Sequence, residues 1–247
     1  MKLTIERTAL LKSLGHVQSV VERRNTIPIL SNIKLEATDD RLGLNATDMD
    51  LDIVESVAAE ITSPGATTAP AQTLFDIVRK LPEGSQVAFE SDDDGQLHLS
   101  SGRCRFTLAC LPTDDFPVLS EGDLDHEFSL PAAEIRALID KTRFAISTEE
   151  TRYYLNGIYL HAAERDGAVM LRAVTTDGHR LARIDAPLPD GAAEMPGVIV
   201  PRKTVAELRK LLDDDEADIA VSVSETKVRF ATPDITLTSK VIDGTFP

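Results

Sequence analysis

Two stretches of this chain carry the same landmarks in the same order, and that internal repeat constrains the fold more than any other feature. Pro28-Ile-Leu-Ser-Asn-Ile-Lys-Leu-Glu-Ala37 resembles Tyr154-Leu-Asn-Gly-Ile-Tyr-Leu-His-Ala162. Thr47-Asp48 follows an apolar alternating run, and so does Thr176-Asp177. Ala66-Thr-Thr-Ala-Pro70 leads into a helical pattern, as Val198-Ile-Val-Pro201 does, and each half closes on Phe-Pro, at Phe116-Pro117 and at Phe246-Pro247. The offset drifts from about 125 to about 131 residues, so the copies differ by short loop insertions.

Apolar residues at helical spacing predict helices over Arg7–Val21 (Leu10, Leu11, Leu14, Val17), Ala71–Lys80 (Leu74, Phe75, Val78), Ala132–Arg143 (Ile135, Leu138, Ile139) and Arg202–Leu212 (Val205, Leu208, Leu211). Short alternating runs between them predict strands at Asn32–Ala37, Leu42–Ala46, Gln86–Glu90, Ile158–His161, Leu181–Ile184, Ile219–Val223 and Ile235–Ser239. Asp39-Asp40, Asp94-Gly95, Asp166-Gly167 and Asp177-Gly178 supply the turns. The fold class is therefore α+β, with each repeat placing two helices against antiparallel sheets. The acidic Thr113–His126 stretch marks the boundary: a first domain over 1–117, a linker over 118–126, and a second domain over 127–247.

A hydrophobic fraction of 42% supplies a core, and no apolar run approaches the roughly 20 residues of a membrane helix. The N-terminus, Met1-Lys-Leu-Thr-Ile-Glu6, lacks a signal-peptide core, so the expected location is the cytoplasm. Cys104 and Cys110 lie in one alternating run, about 20 Å apart if extended, which is beyond disulfide reach; they read as packing residues.

With 26 Lys and Arg against 41 Asp and Glu the net charge is −15, which by itself argues against a nucleic-acid partner. The distribution reverses that inference. The four helical windows (7–24, 71–80, 132–143, 202–212) hold 13 basic and five acidic residues, so half of all Lys and Arg sits in about a fifth of the chain. If these helices share a face, it is cationic on an acidic body. With no Trp and only 4% aromatics, such a face suits sequence-independent contact with phosphates rather than base stacking.

Chemistry-bearing motifs are scarce. No Walker loop, dinucleotide fingerprint, Gly-x-Ser-x-Gly elbow or His-Glu-x-x-His occurs, so no cofactor and no metal site is expected. Asp48-Met-Asp50-Leu-Asp52 opens like a calcium loop, but Ile53 replaces the required Gly and Ala59 the required Glu. Asp92-Asp-Asp-Gly95 reads as a hairpin tip, and Asp213-Asp-Asp-Glu216 as a loop after a helix. A two-residue turn at Asp177-Gly178 would put His179 and Arg180 at the start of a strand. His179 beside Asp177 is then the one pair from which a hydrolase could be built, although no nucleophile accompanies it. The copies differ at this point: Thr47-Asp-Met-Asp-Leu51 in the first faces Thr176-Asp-Gly-His-Arg-Leu181 in the second, which suggests a recognition site on the second copy alone.

The chain also resembles a known family along its whole length, the bacterial DNA sliding clamps (β subunits of DNA polymerase III). The likeness rests on Thr26-Ile-Pro-Ile-Leu30, Pro64-Gly-Ala-Thr-Thr68, Leu81-Pro-Glu-Gly84, Arg152-Tyr-Tyr-Leu-Asn-Gly157, Thr176-Asp-Gly-His-Arg-Leu181, Val200-Pro-Arg-Lys203 and Asp243-Gly-Thr-Phe-Pro247. It implies a non-catalytic processivity factor for DNA replication, closed as a homodimeric ring of three similar domains per subunit, helices toward duplex DNA. The third domain of the family is expected to be missing from this chain. The implied partners are duplex DNA without regard to sequence, the replicative polymerase, the clamp loader and other proteins with a clamp-binding motif, and no membrane. DNA contact is implied for Arg24, Arg152, Tyr153, Tyr154, Arg202 and Lys203, with Lys12, Arg79, Lys80, Arg136 and Lys141 added from charge position. If Tyr153 and Tyr154 lie on a strand, alternation buries only one of them. A peptide-binding pocket is implied at Leu155, Thr176, Gly178, His179, Arg180, Leu181 and Pro247. A DNA-binding module that does not encircle its substrate is the alternative to a clamp, followed by the hydrolase.

Overall fold

In a computed structural model, which describes residues 1–22, 26–92, 94–119, 124–212 and 217–247, the chain divides into two compact units, Met1–Leu119 and Ser120–Pro247. The first contains β1 (Lys2–Glu6), α1 (Arg7–Val17), β2 (Asn32–Thr38), β3 (Arg41–Thr47), β4 (Leu51–Ala58), β5 (Glu60–Ser63), β6 (Gly65–Pro70), α2 (Ala71–Lys80), β7 (Gln86–Ser91), β8 (Gln96–Ser101) and β9 (Cys104–Ala109). The second contains β10 (His126–Pro131), α3 (Ala132–Asp140), β11 (Gly157–Arg165), β12 (Ala168–Thr176), β13 (Leu181–Pro187), β14 (Val198–Pro201), α4 (Arg202–Leu211), β15 (Asp218–Val223), β16 (Lys227–Ala231) and β17 (Ile235–Lys240). Apart from the inserted β5, the element order is the same twice over. The α+β class and the helix-poor, antiparallel character expected of the repeat are what the structure has.

In the first unit the strands run in the orders β5-β1-β7-β8-β9 and β4-β3-β2-β6; in the second, β10-β15-β16-β17 and β13-β12-β11-β14. Neighbouring strands within each unit are antiparallel. α1 packs against α2, β3 and β4, and these elements bury Leu10, Leu14 and Val17, Leu74 and Val78, Leu42 and Leu44, and Ile53. In the second unit Ile135, Leu138 and Ile139 of α3 meet Val205 and Leu208 of α4 over Phe128, Leu160, Val221 and Phe230, leaving an apolar cavity of about 40 Å³. In both units, then, a pair of helices covers one side of the strands.

The local chemistry repeats as well. A proline ends the strand and caps the helix at Pro70, Pro131 and Pro201, each with φ near −58°. Its fixed φ suits the entry to a helix, and its missing N–H is no loss where the ladder stops. At α1 the cap is Glu6, whose carboxylate accepts from the Ala9 amide at 2.8 Å. Gly157 is required by a close approach, since a Cβ there would run into the carbonyl oxygen of Val200 on β14.

Several boundaries depart from the sequence pattern. The first helix stops at Val17 rather than Val21, because Ser19 Oγ donates to the His16 carbonyl at 2.7 Å and Val20 N–H turns back to Val17 at 3.2 Å. The third stops at Asp140 rather than Arg143. Thr142 Oγ1 bonds the Leu138 carbonyl at 2.6 Å, while the Thr142 carbonyl is taken by Thr175 Oγ1 of β12 at 2.7 Å. The cysteines are not packing residues: Cys104 is exposed and Cys110 half-buried, both free. Cys104 starts β9 and Cys110 directly follows it; that strand lies at the edge of its sheet and only Leu108 of it turns inward. Asp92 does stand at a hairpin tip, its amide donating to Gln96 O at 3.1 Å, while Asp213–Glu216 lies outside the described residues.

Candidate nucleic-acid and peptide interface

Thr176 and Leu181 are paired across β12 and β13, so the connection between them is four residues long, Asp177–Arg180, rather than a two-residue turn; His179 and Arg180 are in the loop and not on the strand. Thr176 Oγ1 donates to Arg180 O at 2.8 Å and accepts from Gly178 N at 3.1 Å. Asp177 Oδ1 accepts from the amides of His179 and Arg180, both at 3.0 Å, and its Oδ2 receives Arg180 Nε at 2.9 Å. The Arg180 and His179 amides, with the guanidinium behind them, hold the Asp177 carboxyl down at about 2. That carboxylate braces the loop. It grips the His179 backbone and not the imidazole, so the geometry of a hydrolase pair is absent.

The first copy builds the same loop from the same bonds. Thr47 Oγ1 donates to Leu51 O at 3.0 Å and accepts from Met49 N at 3.1 Å, while Asp48 Oδ1 accepts from Asp50 N at 2.9 Å and Leu51 N at 2.7 Å. Met49 and Gly178 both sit at positive φ, +80° and +87°. What the loops present is different. Met49, Asp50 and buried Asp52 in the first copy correspond to Gly178, His179 and Leu181 in the second, and Leu181 is 64% exposed.

Residues Glu150–Leu155 form a short 3-10 turn, so strand alternation does not apply to the tyrosines. Tyr153 is 55% exposed and Tyr154 half-buried, their rings edge-to-face at 5.8 Å. Leu155 is buried in the core of its unit, its carbonyl accepting from Ser147 N at 3.1 Å, so it offers little surface. Arg152 pairs with Glu149 at 3.3 Å, and its guanidinium lies over Gly178: a Cβ there would be 2.6 Å from Nη1. Arg152, expected to touch DNA, and Gly178, expected to hold a peptide, thus meet. Gly244 comes up against Tyr154, whose Cβ would be 3.0 Å from a Cβ on that glycine, and Phe246 stacks on Tyr159 at 5.0 Å, so exposed Pro247 ends a segment strapped to the second unit.

Sequence reasoning missed Phe144. Its ring is 55% exposed and Arg180 lies over it at 5.7 Å, a cation–π contact beside the loop. The signal is hidden because the helical pattern in the sequence runs on to Arg143, past the end of α3 at Asp140.

The cations fall into two groups. Arg202 is exposed and Lys203 half-buried in the first turn of α4, and Lys12, Lys80 and Lys141 are exposed. Others are structural. Arg7 is buried and caps α2, donating to Val78 O at 3.1 Å and Arg79 O at 2.7 Å. Arg209 ties α4 to α3 through both oxygens of Asp140, each at 3.0 Å. Arg79 pairs with Asp76 at 2.9 Å, and Arg136 is half-buried. Arg24 lies outside the described residues. Among the described residues no group of His, Cys, Asp and Glu could hold a metal ion, and no helix is long and apolar enough to cross a membrane.

A unit of two helices against antiparallel strands, repeated within one chain, is the architecture of the DNA-clamp folds, and comparison with known proteins agrees. Residues 1–120 match the family described as the DNA polymerase III beta subunit, N-terminal domain, and residues 129–247 match its central domain. The β sliding clamp of Caulobacter vibrioides is 58% identical over 248 residues, covering all of this chain and 67% of the relative, and that of Escherichia coli K12 is 41% identical with 66% of it covered. The solved DnaN sliding clamp of Bartonella birtlesii bound to griselimycin superposes with a TM-score of 0.96 at 50% identity, over all of this chain and 66% of that one. The chain belongs to the β sliding clamp family, the non-catalytic β subunits of DNA polymerase III, and spans about two thirds of the length of these relatives.

Proposed function

We propose that the chain acts as the greater part of a sliding clamp, a cytoplasmic protein that encircles duplex DNA on the nucleoid and tethers the replicative polymerase and other motif-bearing partners to it. The observation that carries this reading is the repeat itself, with a pair of helices on each copy and exposed cations on both: Lys12 and Lys80 in the first unit, Lys141 and Arg202 in the second. Such contacts attract phosphates without reading bases, as sliding requires. In this proposal the ring is a homodimer of the full-length family member; the open edge of β9, with Phe106 36% exposed on it, supports a sheet-edge contact in it. Arg24, Arg152, Tyr153, Tyr154, Arg202 and Lys203 are the DNA-contacting set, and the domains divide as 1–117 and 127–247 around a linker.

The peptide surface is the one around Thr176–Leu181 and Pro247, widened by Phe144. Exposed Leu181 and Phe144 offer apolar contact and Arg180 a donor, which suits a short segment with Leu or Phe anchors and an acidic or Gln side chain. Clamps of Bartonella birtlesii and Pseudomonas aeruginosa have been solved with griselimycin bound, which makes that molecule the natural probe. Titration of griselimycin into the wild-type chain and Leu181→Asp tests the surface, with binding at least tenfold weaker in the variant as the expected result. Equal affinity places the pocket elsewhere. Anisotropy of labelled duplexes of unrelated sequence tests the DNA reading: equal affinities are expected, and a strong preference for one sequence rejects it.

A further inference from the structure

The Arg152 side chain lies against the Thr176–Leu181 loop at Gly178. Gly178 has no side chain, so the loop's exposed corner at this residue is bare backbone, and the Arg152 guanidinium fills the side a side chain would take, Nη1 standing 2.6 Å from the position of a Cβ, with the rest of the corner open. In the first copy the equivalent residue is Met49, which carries its own side chain at that corner. The cover is loosely fixed. Its partner is Glu149 at 3.3 Å, with both side chains about half exposed (45% and 50%), and an exposed pair of this kind holds little. Arg152 also has a non-helical backbone (φ −114°, ψ 48°) inside its turn, and it is followed at once by Tyr153 and Tyr154.

From this juxtaposition we infer that Arg152 is a DNA-responsive cover of the peptide surface. Without DNA the guanidinium rests on Gly178 and shields it. When duplex DNA reaches the Arg152–Tyr154 turn, a phosphate offers the guanidinium two charge-assisted hydrogen bonds in place of one exposed carboxylate contact. Arg152 then swings off Gly178 and the corner opens to an incoming peptide. Duplex and peptide therefore bind with positive cooperativity, and by linkage each tightens the other by the same factor. The Gly244 contact with Tyr154 extends the coupling toward Pro247. The inference rests on the proposed assignment of both surfaces to this turn.

The test is calorimetric titration of griselimycin into the 247-residue chain at low salt, with and without a saturating 20-base-pair duplex, for wild type, Arg152→Ala and Arg152→Gln. In wild type the duplex should lower the griselimycin Kd by about fivefold or more, at the low end of ordinary allosteric couplings. Both variants should bind griselimycin without duplex as tightly as wild type does with it, and the duplex should add less than twofold. Arg152 is exposed, and a circular dichroism melt within a few degrees of wild type confirms the variants are folded. Two results overturn the cover with the site assignment left standing: a wild-type Kd indifferent to duplex when both ligands bind, or weaker griselimycin binding by the variants. Failure of either ligand to bind wild type at all overturns the assignment and the cover together.

Discussion

Met49 and Gly178 occupy the same left-handed corner of two copies of one loop, at φ +80° and +87°, although only one of them is a glycine. The Thr and Asp bonds on either side fix the corner, and Met49 accepts its conformation because those bonds over-determine it. An L-residue pays roughly 1–2 kcal/mol there. Met49 is 46% exposed and contributes little burial in return. Met49→Gly should therefore stabilise the first unit by about 1 kcal/mol, less the added entropy of the unfolded chain, and raise the melting temperature by a few degrees in a thermal scan.

Asp52 is the second residue of β4 and is buried, with Oδ1 lacking a hydrogen-bond partner among the described residues. Burial, aided by the nearby Asp48 carboxylate, raises its carboxyl to about 6. The folded state thus holds this proton more tightly than the unfolded chain, whose Asp titrates near 3.9. Between those values the folded state binds more protons, so stability falls as pH rises from about 4 to about 6 and is level above. Asp52→Asn should raise unfolding free energy by roughly 1–3 kcal/mol at pH 7.5 and leave it unchanged near pH 4. Urea unfolding at the two pH values measures this, and an equal effect at both would remove ionisation as the cause.

Asp185 on β13 shows the opposite sign. Its side chain is 2% exposed and receives Arg172 Nε at 2.7 Å and Nη2 at 3.1 Å, with the more exposed Arg165 at 3.2 Å. The Arg172 bond above all lowers its carboxyl below the usual range. The stabilisation is present above the unfolded value near 3.9 and lost as pH falls through the folded one. Arg172→Met leaves a buried carboxylate with one weak partner and should cost about 3 kcal/mol at pH 7. Arg172→Met with Asp185→Leu should recover most of that. A double variant as unstable as the single one contradicts the account.

How far these features could be read from the sequence depends on the range of the interactions that set them. The Thr-Asp landmarks at Thr47 and Thr176 were legible because their bonds run between residues within four positions, although the length of the second turn was not. The starts of α2 and α4 were legible for the same reason, through Pro70 and Pro201. The end of α3 was not, since Thr142 is held by Thr175 from 33 residues away. Exposure of Cys104 and Phe144 depends on which strand is an edge and which turn follows the helix, and periodicity is blind to both. Charge counting located the basic helices but could not distinguish Arg7 and Arg209, spent on Val78, Arg79 and Asp140, from cations that face solvent. For the candidate site, the Thr176–Leu181 segment was located but its turn was read two residues too short, and its contact with Arg152 needed the folded chain.

That division among the cations yields a final prediction about DNA binding. Each phosphate neutralised changes the logarithmic salt slope by about −0.9 on B-DNA, so a chain using about four phosphates should show a slope near −3.6. Arg202 is exposed at the start of α4, and Arg202→Ala should flatten the slope by about 0.9 with little change in stability. Arg209 is also basic and on the same helix, but its guanidinium is committed to Asp140 at 3.0 Å, and Asp140 is held below the usual carboxylate range by that bond. Arg209→Ala should leave the slope where it is and instead lower the unfolding free energy by about 0.5–1 kcal/mol, the ordinary yield of a partly exposed pair. Griselimycin, bound through Leu181 and Phe144, should respond to neither substitution and barely to salt, because apolar contact releases no counterions. Fluorescence titrations of both ligands between about 20 and 200 mM salt separate the cases. Equal flattening by Arg202→Ala and Arg209→Ala would mean that the Asp140 pair opens on DNA, and the distinction between braced and free cations would then fail.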